Sequence, residues 1–116
     1  MIKRIDSIGR MSRAVAHGTT LYLSGLTADD LAQDTGGQTR QILAKIDRYL
    51  AEGGSDKSRL LSANIWLRDI AHFDAMNAEW DAWVDRANPP ARATVEARLA
   101  GDRYLVEIMV VAARDA

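Results

Sequence analysis

Tyr104-Leu105-Val106-Glu107-Ile108-Met109-Val110-Val111 is the stretch whose reading decides the fold. Strand alternation puts Val106, Ile108 and Val110 on one side and Leu105, Met109 and Val111 on the other, so both faces are apolar. Glu107 interrupts the second face, and a carboxylate in such a setting costs several kcal/mol unless it is paired or used. Just upstream, Gly101-Asp102 reads as the turn joining this strand (104–113) to another over about 92–99. That earlier strand follows Asn88-Pro89-Pro90 and opens as Ala91-Arg92-Ala93-Thr94-Val95-Glu96-Ala97.

Working outward, the periodicity changes from two to between three and four. Phe73, Met76, Trp80, Trp83 and Val84 share one helical face, and the prolines are expected to stop that helix at Asn88. Leu60 to Leu67 reads as a mostly buried strand. Asp34-Thr35-Gly36-Gly37 starts a further helix, with Ile42, Leu43, Ile46 and Leu50 inside, and Gly53-Gly54 ends it. Nearer the N-terminus, Ile2 to Asp6 reads as a strand, and Ala14-Val15-Ala16-His17 and Thr20-Leu21-Tyr22-Leu23-Ser24-Gly25 form a hairpin about Gly18-Thr19. The order of strands, helix, strand, helix, two strands predicts an α+β domain over residues 1–116, with two helices packed on one face of a mixed sheet. Two helices cover one face only. The two-sided apolar strand therefore predicts a homo-oligomer that buries the other.

Bulk properties exclude several function classes. The chain has 116 residues, a net charge of -1 and no cysteine. Disulfides, thiolate nucleophiles and cysteine metal sites are ruled out. No basic excess argues for nucleic acid, and no apolar run is long enough for a membrane span. The opening Met1-Ile2-Lys3-Arg4 is too charged for a signal peptide, so a cytoplasmic protein is expected. His17 and His72 make no metal-binding spacing.

Two charged residues in otherwise strand-like sequence invite chemistry. If Ala93, Val95 and Ala97 face the helices, Arg92 and Thr94 face the oligomer side, and Glu107 joins them under a suitable register. One reading is a polar pocket between subunits in which Arg92 holds an anion bidentately. The other is an interfacial Arg–Glu ion pair. Ser24-Gly25, at a strand end, offers a hydroxyl and a free amide. Asn77 flanks the apolar stripe of its helix, where such a residue usually faces solvent. Trp66, Trp80 and Trp83 read as core or interface.

These stretches, in this order, resemble the Rid family, the YjgF/RidA group of reactive intermediate deaminases. The resemblance rests on Leu23-Ser24-Gly25, Trp66-Leu67-Arg68-Asp69, Phe73-Asp74-Ala75-Met76-Asn77, Pro90-Ala91-Arg92-Ala93-Thr94-Val95 and Val106-Glu107-Ile108. It covers nearly the whole chain and is nearest to the YoaB-like branch, which shares the pattern from Met76 to Val84. It implies a chorismate-mutase-like (Bacillus type) fold and a homotrimer with clefts between subunits. It also implies hydrolysis of 2-imino and 2-enamino acids, such as 2-aminoacrylate, to 2-keto acids and ammonia, with no cofactor and no metal. In that scheme Arg92 grips the substrate carboxylate and Glu107 handles water, both as catalytic groups. Ser24, Gly25, Ala93, Thr94 and Asn77 complete the substrate site. Two departures stand out: Met11 lies near the place of a tyrosine in many active members, and Thr94 replaces a common cysteine. A non-catalytic trimer that binds small carboxylates, or acts as a chaperone, is the alternative.

Overall fold

The computed structural model describes residues 1–116 and contains one six-stranded mixed sheet with two helices on one face. The strands are β1 (Ile2–Ser7), β2 (Ser12–His17), β3 (Thr20–Leu23), β4 (Leu60–Leu67), β5 (Ala91–Glu96) and β6 (Val106–Ala113). The helices are α1 (Thr35–Glu52) and α2 (Phe73–Trp83). Sheet order is β1-β2-β3-β6-β4-β5. Only β4 and β5 run parallel, joined by the crossover through α2. A parallel pair needs such a crossover, because a tight turn reverses the chain.

The helix boundaries follow from local chemistry. Asp34 caps α1, accepting a hydrogen bond from the Gly37 amide at 2.8 Å. Such a cap satisfies one of the free amides of the first turn. A short 3₁₀ turn, Ile70–His72, leads into α2, and the Asp69 carboxylate accepts from the Ala71 amide there. The expectation that the prolines stop α2 is corrected. The helix ends at Trp83, and a turn closed by the Asn88 amide on the Asp85 carbonyl lies between it and Pro89. Asp85 itself caps that turn by accepting from the Ala87 amide, so the chain leaves the helix before proline geometry acts.

Alternation sorts the core. Val106, Ile108, Val110 and Ala112 of β6, with Ala63, Ile65 and Leu67 of β4, point to the helices and are fully or nearly fully buried. They meet Ile42, Leu43, Ile46 and Leu50 of α1 and Met76 and Trp80 of α2. Each buried aliphatic side chain of this size stabilises by about 1.5–3 kcal/mol relative to exposure. The sheet's other face carries Tyr22, Val95, Trp66, Met109 and Val111, all exposed or half-buried. The shortest molecular dimension is 20 Å, the thickness of one helix layer on one sheet, so nothing within the chain covers that face. No helix is long and apolar enough to cross a membrane.

One expectation about the strands fails. Arg92 and Thr94 are expected to share the oligomer-facing side with Glu107, but β4 lies between the last two strands: β5 pairs with β4, and β6 pairs with β4 and β3. Arg92 stands opposite Ala63 and Thr94 opposite Ile65, so both point to the helix side. Ala93 and Val95 point to the open face instead. The alanines misled because a small residue fits equally well on an exposed face, while the helix side at this edge is built to hold a cation.

Candidate functional site

Arg92 lies on β5, an edge strand, beneath α2. Phe73, Asn77 and Trp80 recur at helical spacing and form the surface that meets it. Its Nη1 donates to Asn77 Oδ1 at 2.7 Å. The guanidinium carbon sits 5.3 Å from the Trp80 ring centroid and 5.9 Å from that of Phe73. Both distances are within range for attraction between a cation and an aromatic face. Burial pulls the guanidinium below its ordinary proton affinity, with a small opposing pull from Asp81. Arginine remains charged under any such shift. No carboxylate pairs with it. Next to it on the same strand face, the Thr94 hydroxyl is buried without a hydrogen-bond partner. An edge-strand cation held on one side by an amide and two rings, with its other donors unused, is a half-built anion site.

Glu107 lies on the opposite face of the sheet. It stands opposite Trp66 of β4, whose neighbours Ala63, Ile65 and Leu67 point the other way. Its carboxylate rests against Gly25, in the space a Cβ there would need. Burial raises its proton affinity above the usual carboxylate range, and no cation offsets the cost. Strand β3 ends at Leu23, but the Ser24 amide still donates to the Arg13 carbonyl at 2.9 Å. The Ser24 hydroxyl, like that of Thr94, is buried and unpartnered. Leu26 and Ile108 exchange backbone hydrogen bonds of 2.9 and 3.1 Å, which holds the Ser24-Gly25 segment beside β6.

Two half-sites therefore exist in one protomer. Arg92, Thr94 and Asn77 share one, while Glu107, Ser24 and Gly25 share the other; Ala93 is exposed on the open face. Arg92 and Glu107 form no ion pair and occupy opposite sides of the sheet. Trp80, expected from the sequence to serve packing, also faces the Arg92 cation. Phe73, part of the same predicted apolar stripe, is 39% exposed at the rim and faces the cation as well. The sequence does not single out Gln38, which is fully buried: its Nε2 donates to the carbonyls of Gln33 and Arg103, sharing one hydrogen with that of Leu31 at 3.4 Å, and its Oε1 accepts from the Leu105 amide. A polar residue falling on the apolar stripe of α1, one turn before Ile42, was the available signal.

Fold and half-sites together define a small α+β domain of the chorismate-mutase-like type, with an arginine on an edge strand and a glutamate on an open sheet face. The chain belongs to the YjgF/Rid family, whose members also carry the name RutC. The family model described as Endoribonuclease L-PSP matches residues 1–114. A RutC family protein of Haemophilus ducreyi is 42% identical over 113 residues, covering 97% of each chain. The RutC family protein YoaB of Escherichia coli is 46% identical over 112 residues, again covering 97% of each. Among solved structures, a YjgF-family protein from Neisseria meningitidis superposes with a TM-score of 0.97 at 42% identity, covering 100% of this chain and 97% of the other. The Rid-family protein YyfA of Yersinia pestis has a TM-score of 0.83 at 31% identity, covering 92% and 90%.

Proposed function

We propose that the protein hydrolyses 2-imino and 2-enamino acids to 2-keto acids and ammonia, in a site completed between copies of the chain. The observation that carries this reading is Arg92, half-buried, tied by Asn77, flanked by aromatic rings and free of any carboxylate partner. A guanidinium so held presents its remaining donors to a planar anion, and a 2-imino acid carries one next to its electrophilic carbon. Glu107 supplies the complementary group: a carboxylate whose proton affinity is raised by burial.

Because these groups sit on opposite faces of one sheet, the reaction needs two protomers. The edge of one, with Arg92, Thr94 and Asn77, meets the open face of the next, with Glu107, Ser24 and Gly25. The apolar open face supports a homotrimer in which each sheet is covered by its neighbours. The chemistry balances without a cofactor. Protonation at the terminal carbon of 2-aminoacrylate gives its iminium form, with two hydrogens on nitrogen. Water adds to the C=N carbon as Glu107 takes one of its protons, leaving a neutral carbinolamine. Glu107 returns that proton to nitrogen, and ammonia leaves as the remaining hydroxyl releases its proton to solvent and becomes the ketone oxygen; this released proton balances the one taken up at carbon. The products are pyruvate and ammonia. Arg92 orients the carboxylate and offsets charge beside the reacting carbon.

Met11 favours a second reading, a trimer that binds small carboxylates without turnover. It is 37% exposed in the turn between β1 and β2, where the family resemblance leads one to expect a tyrosine hydroxyl that methionine cannot supply. The test is keto-acid release from freshly generated 2-aminoacrylate, measured against the spontaneous rate. Wild type is expected to accelerate release and Arg92→Ala to lose about a hundredfold or more, as for removal of a charge-stabilising donor. Saturable 2-keto acid binding with no acceleration would establish the binder instead.

A further inference from the structure

Toward the β1 edge, between the β1–β2 hairpin and α1, lies a hollow of about 460 Å³ that neither Arg92 nor Glu107 lines. In its lining the Tyr49 hydroxyl donates to Asp6 Oδ2 at 2.6 Å. The Arg48 guanidinium stands 4.8 Å from the Tyr49 ring centroid. Arg13 and Arg48 both line the hollow beside this pair; the Asp6 hydrogen bond raises the tyrosine's proton affinity, and the two guanidiniums act against it. Asp6 has a φ of 54°, the one residue other than glycine at positive φ. Such a backbone is sparsely populated, though aspartate and asparagine tolerate it best.

The charges of this hollow have few protein partners and so are open to a ligand. Arg13 makes no side-chain hydrogen bond or ion pair, and Arg48 has one long contact of 3.4 Å to Glu52. Oδ1 of Asp6 accepts nothing, while Lys45 is already held by Asp29 at 2.7 Å. Ile8, Leu26 and Leu31 supply an apolar wall. With Lys45 and Asp29 paired to each other, Asp6 and the guanidiniums of Arg13 and Arg48 are the charges left to meet an occupant. A ligand that carries both signs a short distance apart, with an apolar remainder, matches them best. The volume falls in the range of small-molecule sites, about 300–1,000 Å³.

We propose that this hollow binds a free zwitterionic α-amino acid. Its ammonium meets Asp6, its carboxylate meets Arg13 and Arg48, and its side chain lies on the apolar wall. The proposal stands independently of the imine chemistry. Calorimetric titration of the full chain with L-leucine, 2-hydroxy-4-methylpentanoate and 3-methylbutylamine tests it. L-leucine should bind once per chain, and the other two, each lacking one charge, at least about tenfold more weakly. Asp6→Asn keeps the backbone preference and an acceptor for Tyr49 but removes the charge. It and Arg13→Met should each weaken L-leucine binding by at least about tenfold, with melting curves confirming the fold. Arg92→Ala should leave L-leucine binding unchanged, which separates this hollow from the imine site. No binding of L-leucine at concentrations on the order of 10 mM, equal affinity for the hydroxy acid, binding unaltered in both charge variants, or loss in Arg92→Ala would each overturn the assignment.

Discussion

Gly25 has no side chain because the Glu107 carboxylate lies where its Cβ would stand. The obstructing atoms are the far end of a flexible side chain, so Gly25→Ala should displace the carboxylate rather than unfold the protein. We expect imine hydrolysis to fall by about tenfold or more with the melting temperature nearly unchanged, since a misplaced catalytic group loses rate steeply. Glu107 itself sets a pH dependence. Burial raises its proton affinity in the folded state, so ionisation costs stability. The stabilisation belonging to the protonated form is complete below the ordinary carboxylate value, about 4.3, and is lost as pH rises through the raised folded value. Glu107→Gln should therefore raise the melting temperature at neutral pH and change it little below about pH 4. A neutral-pH melting temperature that falls would show that Glu107 has a stabilising partner in the assembly.

At the scale of elements, Gln38 ties together parts of the chain that are far apart in sequence. Its side chain joins the segment before α1 to Arg103 and to the Leu105 amide, two residues before Glu107. Gln38→Leu removes every one of those bonds while substituting an apolar side chain of similar bulk. It leaves partly buried carbonyls and an amide without their partner, at a cost of about 2 kcal/mol. Urea denaturation of purified protein measures this; a loss under about 1 kcal/mol would mean that water replaces the missing partners. Helix α2 has a comparable double duty. Met76 and Trp80 pack into the core, and Phe73, Asn77 and Trp80 meet the Arg92 guanidinium. The same helical repeat supplies both faces, which explains why Asn77 is legible from its spacing as a flanking residue but not as the partner of Arg92.

For the whole molecule, the open sheet face is the decisive feature. Tyr22 is 50% exposed and Val95 49%, with Met109 and Val111 between them on the same side. Mass measurement in solution should return a trimer. A sharper check uses two variants, each expected to be inactive alone: Arg92→Ala and Glu107→Ala. If each site takes its arginine from one protomer and its glutamate from the next, co-expressed chains regain activity. Random mixing leaves about a quarter of the clefts with both groups intact, so about a quarter of wild-type activity should return. No recovery in verified mixed oligomers would place both groups of a site on a single protomer, which the sheet geometry opposes.

Much of this protein is legible in its amino-acid order because period and punctuation are local properties. Ile42, Leu43, Ile46 and Leu50 mark α1, Asp34 and Gly53 bound it, and the alternation from Val106 to Val111 marks a strand with two apolar faces. Arg92 and Glu107 stand out individually, since charge amid strand-like sequence is costly. Their relation is not local. Which strand separates β5 from β6, and so which face each side chain takes, depends on β4 inserting between them and on α2 crossing over to make β5 parallel. Only the three-dimensional packing decides that, because alanine and valine at 93 and 95 fit a buried or an open face equally well, while the aromatic and amide surface that accepts a guanidinium comes from a helix some 15 residues away in sequence.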